Sequence, residues 1–101
     1  MSITQTHVFT PAHGEFGFIS FVDWCNTLPP SEQAEALAGL ANQNAITAKH
    51  LASGKLISAA GGTNTWANDA GEDQFEVDPA FKSYFDRYNL ESGTVHTMTI
   101  S

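Results

Sequence analysis

Lys49, Lys55, Lys82 and Arg87 are the only fixed cations in this 101-residue chain, against eleven carboxylates, and the net charge is −7. Binding a nucleic-acid backbone relies on clustered lysine and arginine. Four scattered cations exclude that function, and they exclude attraction to an anionic membrane surface as well. There is one cysteine, Cys25, so no intramolecular disulfide forms and the fold does not depend on an oxidising compartment. No stretch approaches the ~20 apolar residues of a membrane helix. Met1 to Thr6 lacks the basic start and apolar run of a signal peptide. The cytoplasm is the expected location by elimination. Cys-x-x-Cys, His-Glu-x-x-His and the nucleophile elbow are all missing. Gly61-Gly62 is no phosphate loop, because no Gly-Lys-Ser/Thr follows it.

What is present is a hydrophobic fraction of 42% with eleven aromatic residues, which points to a packed interior rather than a disordered chain. A single domain of this size hides only about two-thirds of its unfolded surface, so association with a second copy is an economical way to bury more. Thr6–Thr10 reads as a short strand and Pro11-Ala12-His13-Gly14 as a turn. Phe16–Cys25 is apolar on both alternating faces, which predicts a central strand covered on both sides. Pro30 suits a first helical turn, and a long helix is expected from Ser31 to about Ser53. Its apolar stripe is Ala34, Leu37, Ala41, Ala45, Ala48 and Leu51 or Ala52, with a kink or break at Gly39 and Asn42-Gln43-Asn44, and Gly54 as the stop. Lys55–Ala60 reads as a strand that Gly61-Gly62 interrupts and Thr63–Ala67 continues. Gln74–Val77 is expected to complete a hairpin with it across a polar loop. Asp78-Pro79 starts a second helix with Phe81, Tyr84, Phe85 and Tyr88 on one face, and Gly93 ends it. Thr94–Ser101 closes as a strand, with Val95, Thr97 and Thr99 facing one way and His96, Met98 and Ile100 the other.

The order is β-α-β-β-α-β, the ferredoxin-like pattern of an α+β domain: an antiparallel sheet with two helices on one face. The length, this order, the two-faced Phe16–Cys25 segment, the alanine-rich first helix and the aromatic second helix together resemble the dimeric α/β-barrel superfamily. The resemblance covers nearly the whole chain as a pattern of elements, without a sequence motif. It implies a homodimer whose sheets face each other, and a pocket between each sheet and its helices. Members include cofactor-independent quinol monooxygenases, haem-degrading enzymes, dehydratases and isomerases, and fold alone does not choose among them. Haem-degrading members use an Asn, a Trp and a His about ten residues beyond the Trp. Trp66 matches the Trp, but position 76 is Glu, no His lies between His50 and His96, and Asn26 stands at the wrong end of its segment. Haem is therefore not implied, and no cofactor is expected.

Among the histidines, His7, His13, His50 and His96 lie in four different elements without metal spacing. Surface or hydrogen-bonded structural roles account for most of them. His96, mid-strand beside Met98 and Ile100, is the candidate general base. Asp23, beside Trp24 in an apolar segment, is either a perturbed buried carboxylate and a candidate catalytic group, or an exposed residue at the segment's end. Trp24, Trp66 and Tyr84 are candidate ligand-binding residues, with core or interface packing as the alternative. Cys25 reads as a buried structural thiol. Asp69, Glu72, Asp73, Glu76 and Asp78 fail the calcium-loop spacing and read as a solvated loop, with Asp78 as a cap. Two functions follow: binding or oxidation of a small, flat, hydrophobic molecule in a sheet–helix pocket without a metal, or a non-catalytic oligomeric domain whose aromatics are all core and interface.

Overall fold

The structure is a computed structural model and describes residues 2–10, 21–60 and 62–101. It is an α+β fold in the order β1 (Ser2–Thr10), α1 (Phe21–Cys25), α2 (Pro30–Ser53), β2 (Leu56–Ala60), β3 (Thr63–Ala67), a 3-10 helix (Gly71–Phe75), α3 (Pro79–Ser92) and β4 (Val95–Ile100). The four strands form one antiparallel sheet in the order β2-β3-β1-β4. Thus β1 lies between its two neighbours, paired Gln5 to Asn64 on one side and Thr6 to Thr99 on the other. Among the described residues no helix is long and apolar enough to cross a membrane.

The segment expected as the main strand is corrected by this arrangement. Its first half and the Pro11–Gly14 turn lie outside the described residues, and Phe21–Cys25 is helical. The reason is visible in the burial. Phe21, Trp24, Cys25 and Leu28 are buried while Val22 and Asp23 are exposed. Spacing of three and four is a helix face, whereas a strand alternates every second residue. The strand role falls instead to Ser2–Thr10, which includes the predicted Thr6–Thr10.

The long helix forms as expected, from Pro30 to Gly54, whose φ of 82° gives the left-handed cap. It runs without a break, and its packed face is not the alanine stripe. Ala34, Ala41, Ala45, Ala48, Leu51 and Ala52 are exposed, and of that stripe only Leu37 packs. The buried face carries Ala36, Gly39 and His50, with Leu40, Gln43, Ile46 and Thr47 half-buried. Alanine is the best helix former, so its abundance here serves propensity rather than burial. Gly39 does not kink the helix; it lets α3 come close. A Cβ there would stand 2.7 Å from the Phe81 backbone nitrogen.

β2 and β3 pair directly as a hairpin, Ala60 opposite Thr63, so the two segments are separate strands, and Gly62 before Thr63 has the positive φ of 83° that glycine adopts readily. The third strand expected at Gln74–Val77 is absent: a 3-10 helix ends at Phe75, and Glu76 to Asp78 have no regular structure. This strap is held by side chains instead of a ladder. Gln5 Nε2 donates to the Gln74 carbonyl at 2.9 Å, the Asp78 N–H donates to Gln43 Oε1 at 2.8 Å, and Lys49 and His50 both reach Glu76. The α3 start is as expected, with Asp78 Oδ2 accepting from the Phe81 N–H at 3.0 Å and Gly93 closing the helix.

The aromatic core lies among the helices. Phe21, Trp24, Cys25, Leu28, Ala36 and Tyr88 are buried together, with Phe81, Tyr84 and Phe85 packed against them. Phe21 sits within 5.5–5.8 Å, centroid to centroid, of Trp24, Phe81, Phe85 and Tyr88. A second, smaller cluster joins Leu56, Trp66 and Ala70, with Ile3 against it.

Candidate functional site

Between the helices and the sheet lies a cavity of about 500 Å³, within the roughly 300–1,000 Å³ of small-molecule sites. Strand alternation decides which side chains reach it. From β1 come Gln5 and His7, from β3 Asn64 and Trp66, from β2 Leu56, and from β4 His96 and Met98. The helices add Gln43, Ile46, Thr47 and His50 from α2 and Phe81, Lys82, Phe85 and Asp86 from α3. The strap adds Gln74 to Val77. The face of the sheet that a small domain ordinarily fills with aliphatic side chains therefore carries two amides and two imidazoles.

Two polar pairs organise this space. His7 Nδ1 and His96 Nε2 are 2.9 Å apart, with the rings stacked at 5.1 Å between centroids. Partial burial, and then the neighbouring His96, lowers the pKa of His7 below its ordinary value. On the opposite side, His50 Nε2 lies 2.6 Å from Glu76 Oε1, and Lys49 Nζ is 3.0 Å from the same oxygen. The bonds from Lys49 first, and then from His50, hold the Glu76 carboxyl below the usual carboxylate range. An ionised carboxylate only accepts, so Nε2 of His50 donates in this contact. His50 itself is buried and meets the Trp66 ring edge to face at 5.5 Å. Trp66 is also fixed at its other end, where Nε1 donates to Gln5 Oε1 at 3.0 Å.

Of the residues proposed from the sequence, His96 and Trp66 line this cavity together. The other three lie elsewhere. Trp24 is fully buried in the helical core, with the Arg87 guanidinium 5.6 Å from its ring centroid. Tyr84 donates to Glu35 Oε2 at 2.8 Å, and this bond raises its pKa. Asp23 is exposed on α1, where its charge is a secondary cause of the raised Tyr88 pKa. Cys25 is a buried free thiol, pushed up in pKa by burial. His13 lies outside the described residues. Asp69 and Glu76 are paired with lysines and Asp78 caps α3, and no cluster of three metal-binding side chains occurs among the described residues.

Sequence reasoning missed His7, His50 and Asn64. Position 7 was legible in principle: Gln5 and His7 alternate with Thr4 and Thr6, which marks them as one face once the segment is known to be a strand. The pairing of His50 with Glu76 spans 26 residues and leaves no local signal. Comparison with protein-family models, with curated proteins and with solved structures finds no match for this chain.

Proposed function

We propose that this chain is a ferredoxin-like domain that binds a small, flat, largely hydrophobic molecule in the sheet–helix cavity. The observation that carries this reading is the character of the covered sheet face. Gln5, His7, Asn64 and His96 point into a space of about 500 Å³ that the fold leaves unfilled. His7 and Asn64 are half-buried and His96 is exposed, so these polar side chains stand in an open cleft that a ligand can enter, with the buried Trp66 at its floor. Phe75, Phe81, Phe85 and Trp66 supply apolar surface for the faces of a planar ligand. A neutral solvatochromic dye such as prodan tests the reading. Saturable binding with a blue-shifted emission, lost in Ile46→Trp with the circular dichroism unchanged, supports it. No uptake by the native protein overturns it.

A second reading concerns assembly. The opposite sheet face carries Thr4, Thr6, Val8, Thr63, Thr65, Val95, Thr97 and Thr99 by alternation, with no ionisable side chain at these positions. An uncharged face on a chain of net charge −7 suits packing against its own copy, as the homodimer expected from the sequence requires. Light scattering decides: a mass of two chains supports it, and one chain at millimolar concentration rules it out.

A further inference from the structure

We infer that two copies of this chain pair edge to edge through β4, antiparallel across a two-fold axis, and join their four-stranded sheets into one. The inference needs the chain to associate with itself, as the second reading above does, but it places the contact on the edge of the sheet rather than on its open face.

Three observations carry it. The first is the hydrogen-bond phase of β4. Thr4 and Ser101 exchange both backbone bonds, each at 2.9 Å. In an antiparallel ladder such pairs alternate with pairs that exchange none. Counted along the register from there, Thr6–Thr99 and Val8–Thr97 are the bonded pairs. Thr97, Thr99 and Ser101 therefore direct their N–H and C=O groups at β1, and Met98 and Ile100 direct theirs to the other side. β4 is the last strand of the sheet, so that other side is the sheet's edge. All six residues of the strand are exposed.

The second is the contrast between the two edges. β2, at the far end of the sheet, has a register irregularity between Leu56 and Ser58 and follows directly on Lys55. Bulges and lysines are devices that keep an edge from pairing with another chain. β4 has neither. Its register with β1 is continuous from Val95 to Ile100, and Gly93 to Ser101 contains no Lys, Arg, Asp, Glu or Pro. It also leaves three large apolar side chains in solvent, Val95, Met98 and Ile100.

The third is what such an edge fits. An antiparallel strand is its own complement, because a two-fold axis sets the donors of one copy against the acceptors of the other. That axis stands across the sheet plane, so each side of one sheet continues into the same side of its partner. Thr97 and Thr99 then meet threonines, and Met98 and Ile100 meet apolar side chains, both favourable cross-strand combinations. Charge favours the same occupant. Two copies at −7 each repel over most approaches, and residues 93–101 offer a stretch where they meet without fixed charge. A charged segment of another protein finds no counter-charge there. Met98 also lines the cavity, so the partner's strand lies beside a wall of that space.

The test combines light scattering with amide hydrogen exchange on the native chain. A mass of two chains is expected at millimolar concentration, with the Met98 and Ile100 amides exchanging at least roughly tenfold slower there than after dilution to single chains. Met98→Pro is expected to give single chains with an unchanged circular dichroism spectrum, because proline removes an N–H that the β1 ladder does not use. Ile100→Lys keeps every backbone group and is expected to do the same, which covers the case of a proline variant that does not fold. Thr65→Lys, on the open face, is expected to leave the mass at two chains. Single chains of the native protein at millimolar concentration overturn this inference and the open-face reading together. A two-chain mass that persists in the folded edge variants and is lost in Thr65→Lys overturns this inference alone and assigns the contact to the open face. A two-chain species in which Met98 and Ile100 exchange as fast as in the single chain overturns it as well.

Discussion

The cluster around Trp24 and the space beside Trp66 are both aromatic, both lie under the same two long helices, and behave as opposites. Around Trp24 the packing is mostly aromatic, with Phe21 alone meeting four rings and only Arg87 and Glu91 touching it from the polar side. Trp66 is also nearly inaccessible, at 5% exposure, but its neighbours are Gln5, His50 and an open volume. The first region spends its aromatics on cohesion. The second fixes a ring at both ends and leaves its surroundings unfilled. Burial alone does not separate a core from a site; what separates them here is whether the volume beside the ring is filled.

The contrast is sharpest under mutation. Trp24→Ala removes the centre of the helical core and is expected to destabilise by about 3–5 kcal/mol. Chemical denaturation measures this, and at that size the domain is near its unfolding limit. Gly39→Ala comes next. Alanine favours a helix over glycine by about 1 kcal/mol, but here its Cβ meets the Phe81 nitrogen at 2.7 Å and Ala80 at 3.1 Å. Those are backbone atoms of the first turn of α3 and cannot rotate aside. A net loss of about 1–2 kcal/mol is expected from such overpacking, and a gain in thermal midpoint would show that α2 and α3 are not held at this distance. Asp78→Ala removes the cap on α3 and is expected to cost about 1 kcal/mol, with Asp78→Asn retaining most of it.

The cavity should respond the other way. Asn64→Leu replaces a polar group on the covered face with an apolar one, so stability is expected to stay within about 1 kcal/mol of native or to rise. Ligand or dye selectivity changes while the fold does not. The smallest effect is that of acid on His7. Its folded pKa is lowered, so the unfolded chain binds the proton more readily. The contribution of neutral His7 is full above the unfolded value near 6.5 and is lost as the pH falls through that value toward the folded one. Unfolding midpoints measured from pH 7.5 down to 5 should decline, and His7→Gln should remove part of that slope. An unchanged slope would assign the decline to other groups.

Much of the fold was legible where local chemistry speaks plainly. Proline at the starts of α2 and α3, Asp78 as a cap, and Gly54 and Gly93 as stops fixed the helices. The alternation in Val95–Ile100 put His96 and Met98 on one side of β4, and both line the cavity. Phe16–Cys25 misled because a segment apolar at nearly every position carries no period. In Phe21–Cys25 the three-and-four spacing shows only in which residues are buried, Phe21, Trp24 and Cys25, continued by Leu28. The alanine stripe misled for the converse reason, since alanine fits both a buried and a solvated helix face. Of the candidate site, Trp66 and His96 were legible as residue types rare enough to notice. Asn64 and His50 were not, because their meaning comes only from strand register and from a contact across the cavity.

The central place of β1 also sets an order of events. Its Gln5 pairs with Ile100, more than ninety residues onward, while its other edge pairs with β3. The β2–β3 hairpin can close early and locally, but the strand that joins it to β4 is made first and completed last. Pairings this distant slow folding because the loop must close before the contact rewards it. During synthesis one edge of β1 can pair as soon as β3 is made, while its other edge stays unpaired until β4 follows. A permuted chain that links β4 to β1 and opens between β1 and α1 makes β4 and β1 neighbours in sequence, keeps the β2–β3 hairpin, and is expected to fold faster than the native order.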